Sequence, residues 1–208
     1  MAEFLRHTGV AASIPEDNVD TDQIIPSREM KAVSKKGLGS GLFAGWRYRY
    51  EGTRKTGESV QFVLNQPDYA GTSILLAGKN FGCGSSREHA VWALRDYGIR
   101  VIIAESFGRI FGNNCARNGL LAIRLSADQV AAIRRETETD PQENRLTVDL
   151  ENCVVTLPGG AEFAFDVESF DRDMLMKGLD YIDFTLQFEK EIDRSIKDDQ
   201  TARPWAHL

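Results

Sequence analysis

Short apolar segments alternate with segments of helical periodicity in the middle of the chain. The apolar segments are residues 73–77, 100–104 and 120–125, and their unbroken hydrophobic character is typical of strands buried on both faces. Residues 88–97 and 106–118 lie between them and are predicted to be helical. Strands that alternate with helices in this way form parallel sheets. The pattern therefore predicts an α/β fold with a central, largely parallel sheet flanked by helices.

The rest of the chain carries weaker signals. Residues 8–13 are predicted to form another strand, and Ser126 is predicted to cap a helix together with Gln129. Further on, the patterns indicate short strands, a β-hairpin and two more helices, at residues 146–150, 153–157, 162–165, 169–177 and 182–196. We therefore expect a single domain over residues 1–197 and a polar C-terminal tail over residues 198–208.

A glycine-rich segment, residues 27–58, shows no clear periodicity. Glycine makes the backbone permissive, and a long loop inside a compact domain is usually functional or disordered. The aromatic residues Phe43, Trp46, Tyr48 and Tyr50 argue against complete disorder. We predict a mobile loop here.

Composition and charge exclude several classes of protein. The net charge is −6 overall, but residues 1–125 carry +4 and residues 126–208 carry −10. This argues against a general nucleic-acid binder and places any anion-binding surface in the first 125 residues. No apolar run approaches the roughly 20 residues that cross a membrane. The three widely spaced cysteines do not indicate a disulfide framework, so we expect a cytoplasmic protein.

The segment with the most chemical information is residues 80–90, which reads Asn-Phe-Gly-Cys-Gly-Ser-Ser-Arg-Glu-His-Ala. It lies between a predicted strand and a predicted helix, where ligands bind in open α/β sheets. Gly84 lets the backbone approach a ligand, the first helical turn offers free N–H groups, and Arg87 adds a two-pronged donor. Ser85 and Ser86 contribute hydroxyls. The residues alone thus indicate an anion site with a candidate oxygen nucleophile or base.

Well-known motifs do not fit this segment. No Lys-Ser/Thr pair follows the glycines, as a P-loop needs, and Arg87 stands where a dinucleotide fingerprint requires its third glycine. His89 is close to Ser85 in sequence, but no G-x-S-x-G elbow is present. A purely structural alternative remains, because Ser85-x-x-Glu88 has the spacing of a helix capping box.

Two further constellations could support such a site. Asp20 and Asp22 could do acid/base work, although an Asx-turn that organises the loop is the alternative, and two carboxylates are too few for a metal site. In residues 106–115, Arg109 and Asn113 could reach a ligand, while the aromatic spacing is that of a helix packed on a core.

Three segments together, residues 18–26, 80–90 and 106–119, resemble the aconitase-type swivel domain. More closely, the chain from Phe4 to Asp180 is similar to the small subunits of bacterial 3-isopropylmalate dehydratases. The resemblance implies a swivelling β/β/α domain with short extra β-hairpins. It also implies a hydro-lyase that interconverts 2-isopropylmalate and 3-isopropylmalate by dehydration and rehydration, in leucine biosynthesis.

The resemblance also implies roles for single residues. The first serine of the Ser-Ser-Arg run is the base in this family, which is Ser85 here. Arg87 then binds a substrate carboxylate with help from Ser86. Capping and catalysis compete for Ser85, and we expect Ser86 to share the cap. The residues expected to support the site are Asp20, Asp22, Gly84, Glu88 and His89.

The family resemblance implies a [4Fe-4S] cluster in a large partner subunit, which acts as a Lewis acid on the leaving hydroxyl. A cluster needs several thiolates in one geometry, and Cys83, Cys115 and Cys153 show no recognisable ligand spacing. We therefore expect this chain to bind no metal or cofactor itself and to form a heterodimer with the large subunit. No nucleic-acid or membrane partner is expected.

Substrate selection is expected in residues 24–46. Arg28 could meet the second carboxylate of the substrate, and the stretch 37–45 is expected to order only when the large subunit docks. An apolar pocket could be lined by Ile24, Ile25 and Met30. Small subunits of dehydratases for homoaconitate, citraconate or dimethylmalate share this domain and stay open as alternatives. So does a stand-alone carboxylate- or phosphate-binding module without catalysis, whereas RNA binding is disfavoured by the charge.

Overall fold

The structure is a computed structural model of the chain. It describes residues 1–30, 34–52, 54–59, 61–84 and 87–207. The predicted roles of Ser85 and Ser86 therefore lie outside the described residues.

The strands, in chain order, are β1 (Arg6–Ile14), β2 (Tyr48–Glu51), β3 (Arg54–Glu58), β4 (Thr72–Ala77), β5 (Val101–Ala104), β6 (Leu121–Arg124), β7 (Leu146–Asp149), β8 (Val154–Thr156) and β9 (Glu162–Ala164). The α-helices are α1 (Thr21–Ile24), α2 (Ala44–Arg47), α3 (His89–Tyr97), α4 (Arg109–Arg117), α5 (Ala127–Thr137), α6 (Ser169–Lys177), α7 (Tyr181–Leu186) and α8 (Glu189–Ala202). Among the described residues, none of these helices has the length and apolar character needed to cross a membrane.

A seven-stranded sheet in the order β6-β5-β4-β1-β7-β8-β9 forms the centre of the fold. The four strands β6, β5, β4 and β1 are parallel neighbours, which confirms the predicted α/β fold with a central parallel sheet. β7, β8 and β9 continue the sheet on the other side of β1 in antiparallel pairing. β2 and β3 form a separate two-stranded hairpin.

The unbroken apolar runs arise because the parallel strands are buried on both faces. In β4, Leu75 and Ala77 pack into one core with α3 and α4, whereas Ile74 and Leu76 pack into a second core that includes Ile133 of α5. Successive side chains point to opposite faces of a sheet, so a strand between two cores must be apolar at every position. The unbroken apolar run in the sequence therefore reflects the packing of this strand between two cores.

The prediction of a loop over residues 27–58 is only partly correct. β2 and β3 form a hairpin there, and the Glu29 carboxylate accepts hydrogen bonds from the Tyr50 hydroxyl at 3.0 Å and the Lys55 ammonium at 2.8 Å. The apolar residues Leu38, Leu42 and Phe43 are buried in the first core. The chain alone therefore already buries these side chains, and ordering of 37–45 on docking stays a prediction. Mobility of the segment stays a prediction.

The C-terminal region is more helical than the sequence predicted. The single predicted helix over 182–196 is two helices, α7 and α8, and α8 continues to Ala202 before a 3-10 turn over Pro204–His207. Asp199 accepts hydrogen bonds from the side chains of Arg203 and His207, at 2.7 Å each. The predicted polar tail from 198 thus begins inside a helix, whose exposed surface explains its polar composition.

Candidate functional site

The three segments that carry the sequence motifs meet at one edge of the sheet. Strands β1, β4 and β5 are parallel, and their last residues, Ile14, Ala77 and Ala104, are register partners. The connections that follow these strands therefore leave from the same edge. This is where ligands bind in open parallel sheets.

Backbone hydrogen bonds join the three connections into one framework. The N–H of Gly82 donates to the Val19 carbonyl at 2.7 Å, and the N–H of Thr21 donates to the Cys83 carbonyl at 3.0 Å. On the other side, the N–H of Phe81 donates to the Ser106 carbonyl at 3.0 Å. Residues 81–83 thus lie between the other two segments in the manner of a short central strand. These hydrogen bonds hold residues 81–83, which directly precede Gly84 and the Ser-Ser-Arg run, on both sides.

Two asparagines shape the turns beneath this framework. Asn18 and Asn80 both have φ +57°, a left-handed conformation that asparagine tolerates better than most residues. The Asn80 side-chain amide donates to the Asn18 side-chain oxygen at 2.9 Å, so each turn supports the other. The sequence signal for these turns is the Asx-rich composition of residues 18–22 and the Asn before Phe81-Gly82.

An aromatic cluster supports the glycine loop from below. Phe111 packs edge-on against Phe81, with ring centroids 5.5 Å apart, and stacks on Phe107 at 6.3 Å. Gly82 lies directly on this cluster with φ +73°, and a Cβ atom there would meet the Phe111 ring at 2.2 Å. Close approach of backbone to ring is therefore the reason for glycine at this position.

Replacing Gly82 with alanine is expected to destabilise the protein by roughly 2–4 kcal/mol, since it combines a left-handed backbone with overpacking. Urea unfolding of the Gly82→Ala and Gly45→Ala variants tests this. Gly45 lies in α2 with open space around its would-be Cβ and no positive φ, so its variant should be near neutral. Equal stability of both variants would show that the contact with Phe111 is not tight.

Of the two predicted acids, Asp20 has a structural role. It caps α1: its side chain accepts a hydrogen bond from the Gln23 N–H at 2.7 Å, and the Gln23 side chain accepts one from the Asp20 N–H at 2.8 Å. The local-turn alternative from the sequence therefore describes Asp20 correctly. Gly84, with φ +89°, lies against it, because a Cβ at Gly84 would be 3.4 Å from the Asp20 Cβ.

Asp22, in the same helix α1, forms an ion pair with Arg87. The Arg87 side chain is 35 % exposed and that of Asp22 is 53 % exposed. A planar guanidinium held by one carboxylate at an open edge can still offer further N–H donors to a second carboxylate. The structure thus brings Asp20, Asp22, Gly84 and Arg87 together, and their role in a site stays a prediction.

Glu88 does not have the position that the Ser85-x-x-Glu88 capping box requires. A capping box would place it at the third helical position, but α3 begins at His89 and Glu88 is the N-cap, with no side-chain hydrogen bond to the helix start. Its carboxylate instead accepts a hydrogen bond from the Asn118 side-chain amide at 2.7 Å. The capping-box alternative is therefore wrong for Glu88. The His89 ring contacts Trp92, with centroids 4.7 Å apart.

Asn118 is a residue that sequence reasoning missed. It is 6 % exposed, and its amide also donates to the Asn114 carbonyl at 2.9 Å and accepts from the Trp92 indole N–H at 3.0 Å. These contacts, with Glu88, tie the end of α4 to the beginning of α3 beside Arg87. The only signal in the sequence is an asparagine just before the helix-ending Gly119.

Arg28 is not brought to Arg87 by any contact among the described residues. Its guanidinium carbon lies 4.2 Å from the centroid of the Tyr50 ring, and its Nε is 3.8 Å from the Glu29 carboxylate. The predicted apolar pocket is wrong for Ile24 and Ile25, which are both fully buried in the first core. Met30 is only partly buried and packs against that core.

The surface of the glycine loop forms a shallow cavity of about 240 Å³ with the beginning of α4. It is lined by Gly82, Cys83, Gly84, Gly108, Arg109, Ile110 and Phe111. Ile110 is 47 % exposed, so an apolar side chain faces solvent next to a charged one at this edge. Arg109 was a candidate from the sequence, whereas Ile110 was not, because an apolar residue in a helix is normally assigned to the core.

The three cysteines lie in different surroundings. The Cys83 thiol donates to the Asn18 carbonyl at 3.2 Å, Cys115 is buried in the first core, and Cys153 packs against the second. Burial raises the pKa of the Cys115 thiol, which disfavours the thiolate that a metal would need. Within the described ranges no three His, Cys, Asp or Glu side chains are grouped to hold a metal. These cysteines do not fit an iron–sulfur cluster.

The fold and this edge define a domain of the aconitase C-terminal class, since the model of the aconitase C-terminal domain matches residues 1–128 and that of LeuD_N matches residues 131–169. A 3-isopropylmalate dehydratase small subunit from Cupriavidus necator is 53 % identical over 100 % of this chain and 99 % of its own length. One from Rhizobium etli is 47 % identical over 99 % and 100 %. The chain belongs to the family of 3-isopropylmalate dehydratase small subunits.

A solved structure supports the same assignment. The 3-isopropylmalate dehydratase of Methanocaldococcus jannaschii superposes with a TM-score of 0.66 at 26 % sequence identity. The match covers 93 % of this chain and 99 % of that chain. The likeness therefore extends over nearly the whole fold and is not confined to the motifs.

Proposed function

We propose that this chain is the small subunit of a hydro-lyase that interconverts 2-isopropylmalate and 3-isopropylmalate in leucine biosynthesis. The observation that carries the proposal is the convergence of three separate segments around Arg87 at the open edge of the parallel sheet. Relatives that align over the full chain are named for this enzyme. A dianionic substrate suits a site in the half of the chain with net charge +4.

In the proposed reaction, Arg87 binds a carboxylate of the substrate and Ser86 assists. Ser85 takes the proton from the carbon next to that carboxylate, so negative charge develops on the group that Arg87 holds. Hydrogen-bond donors aimed at developing charge usually contribute more to catalysis than any other single effect. Ser85 is two residues from Arg87, so their Cα atoms are at most about 7.2 Å apart.

Serine is a poor base in water, and it can accept a proton only as an alkoxide. N–H groups of the glycine loop and the beginning of α3 would stabilise that oxyanion. Asp22 holds the Arg87 guanidinium at the open edge before substrate arrives. Gly84, Glu88 and His89 are proposed to support the backbone on either side of the serines, and Arg28 is proposed to meet the second carboxylate when the site closes.

The partner is proposed to be a cluster-bearing large subunit, in a heterodimer in the cytoplasm. We assign the [4Fe-4S] cluster, whose chemistry is Lewis-acid activation of the leaving hydroxyl, to that subunit. The exposure of Arg87 and Asp22 supports a site that is completed by another chain. A small dicarboxylate is the proposed substrate, and no nucleic acid or membrane is proposed as a partner.

Copurification with the large subunit from the same organism, followed by assays against several malate derivatives, tests the proposal. We expect no turnover by the isolated chain and the fastest turnover of 3-isopropylmalate by the complex. Preference for homoaconitate, citraconate or dimethylmalate would reassign the chain to a related dehydratase. Dicarboxylate binding by the isolated chain that depends on Arg87, with no turnover in the complex, would favour a stand-alone binding module.

A further inference from the structure

A second cavity, of about 360 Å³, lies between α3, the end of α4 and the beginning of α7. Three cationic side chains, Lys35, Arg95 and Arg117, line it together with the half-buried indole of Trp92. None of these residues has a place in the proposed reaction. The cavity is within the size range of small-molecule sites.

Among the described residues, no carboxylate forms an ion pair with the cations in this cavity, although Asp171 lies near enough to Arg117 to interact with it electrostatically. Arg95 is half-buried, and its guanidinium donates to the Asn118 carbonyl. The Lys35 ammonium lies 3.4 Å from the Asn118 side-chain oxygen and 5.1 Å from the centre of the Trp92 ring, and Arg117 lies over the Tyr181 ring at 4.8 Å. Lys35 and Arg117 are exposed, whereas Arg95 is half-buried, and a charge in such a place normally has a partner of opposite sign.

A neighbouring guanidinium adds to the positive charge. Burial, and then the charge of Arg100, lower the pKa of Arg95. Within the part of the chain that the structure describes, the Nε of Arg100 is itself buried without a hydrogen-bond partner. Two adjacent guanidiniums without an ion-pair partner among the described residues are costly in a half-buried place, and an anion beside Arg95 would reduce that cost.

The two carboxylates at the cavity are already used by backbone groups. Asp180 caps α7 and accepts hydrogen bonds from the N–H groups of Ile182 at 2.9 Å and Asp183 at 2.8 Å. Asp96 accepts one from the N–H of Gly39 at 2.7 Å. Neither forms an ion pair with the cavity cations within the described residues, so the positive charge there is not neutralised by direct pairing.

We propose that this cavity binds a small organic anion through a carboxylate or phosphate group. The anionic group lies between Arg95 and Arg117, whose planar donors suit both chemistries, and the apolar part of the ligand lies against Trp92. The cavity is concave, has the size of a small-molecule site and includes the half-buried Arg95, which favours a small ligand that can enter it.

Calorimetry of the full chain with succinate and, separately, inorganic phosphate tests this, at ionic strength held constant with sodium chloride. We expect saturable binding of at least one probe at one site. Arg117→Met should weaken it about tenfold or more, since hydrogen bonds to charged groups are the strong ones. Arg135→Met removes an exposed cation on α5 that lies away from the cavity, and it should bind as the parent does.

Arg87→Met separates this inference from the proposed function and should leave the binding unchanged. Loss of binding in Arg87→Met with retention in Arg117→Met would move the anion to the serine loop and overturn the inference. Absence of saturable heat with both probes would do the same, as would equal weakening by Arg117→Met and Arg135→Met. If Arg117→Met instead impairs only association with the large subunit, the cations serve a protein partner.

Discussion

Replacing Ser85 with alanine is expected to lower kcat of the assembled enzyme by about 10²–10⁴-fold, the range of a lost general base, with little change in KM. The loss follows because the variant lacks the Ser85 hydroxyl, which is proposed to remove the substrate proton. The variant should fold normally, since α3 begins at His89 with Glu88 as its N-cap and does not need Ser85 in a capping box.

The measurement combines steady-state kinetics with exchange of the substrate proton for solvent deuterium. Ser85→Ala should lose the exchange along with turnover, because proton removal is the step that Ser85 is proposed to perform. Ser169→Ala is a matched control, since Ser169 is an exposed serine at the beginning of α6. Near-normal kcat in Ser85→Ala would refute the assignment of the base, whereas a raised KM alone would make Ser85 a binding residue.

The parallel part of the fold could be predicted because its physical requirement is visible locally. Ile74 to Ala77 alternate between two cores, so every position is apolar and the run stands out against the glycine loop that follows. The site could be placed for a related reason. Glycines, hydroxyls and Arg87 immediately after such a strand must lie at the carboxyl edge of the sheet.

What could not be predicted depends on contacts between distant segments. Leu42 and Phe43 are core residues inside a glycine-rich region without periodicity, so nothing local separates them from a loop. Isoleucines such as Ile24 and Ile25 could equally line an apolar substrate pocket or belong to the core. Only their complete burial in the structure assigns them to the core. The spacing assigned Glu88 to a capping box at the helix start, but its carboxylate accepts a hydrogen bond from Asn118, thirty residues away.

Replacing Arg87 with lysine is expected to raise KM for 3-isopropylmalate about tenfold or more, because an ammonium cannot reproduce two parallel N–H donors to one carboxylate. The pair with Asp22 is exposed, and such pairs contribute only about 0–1 kcal/mol, so the free energy of unfolding should hardly change. Stability and KM therefore separate a binding role from a structural one.

Steady-state kinetics of the complex with Arg87→Lys, Asp22→Asn and Arg135→Lys measure this. Arg135→Lys should match the parent, since Arg135 is exposed on α5. Asp22→Asn keeps the guanidinium but removes its ion-pair partner, so KM should change less than in Arg87→Lys if Arg87 binds the substrate directly. Unchanged KM in Arg87→Lys would exclude a two-pronged contact. An equal rise in both variants would show instead that the Asp22–Arg87 pair acts by holding the two segments together.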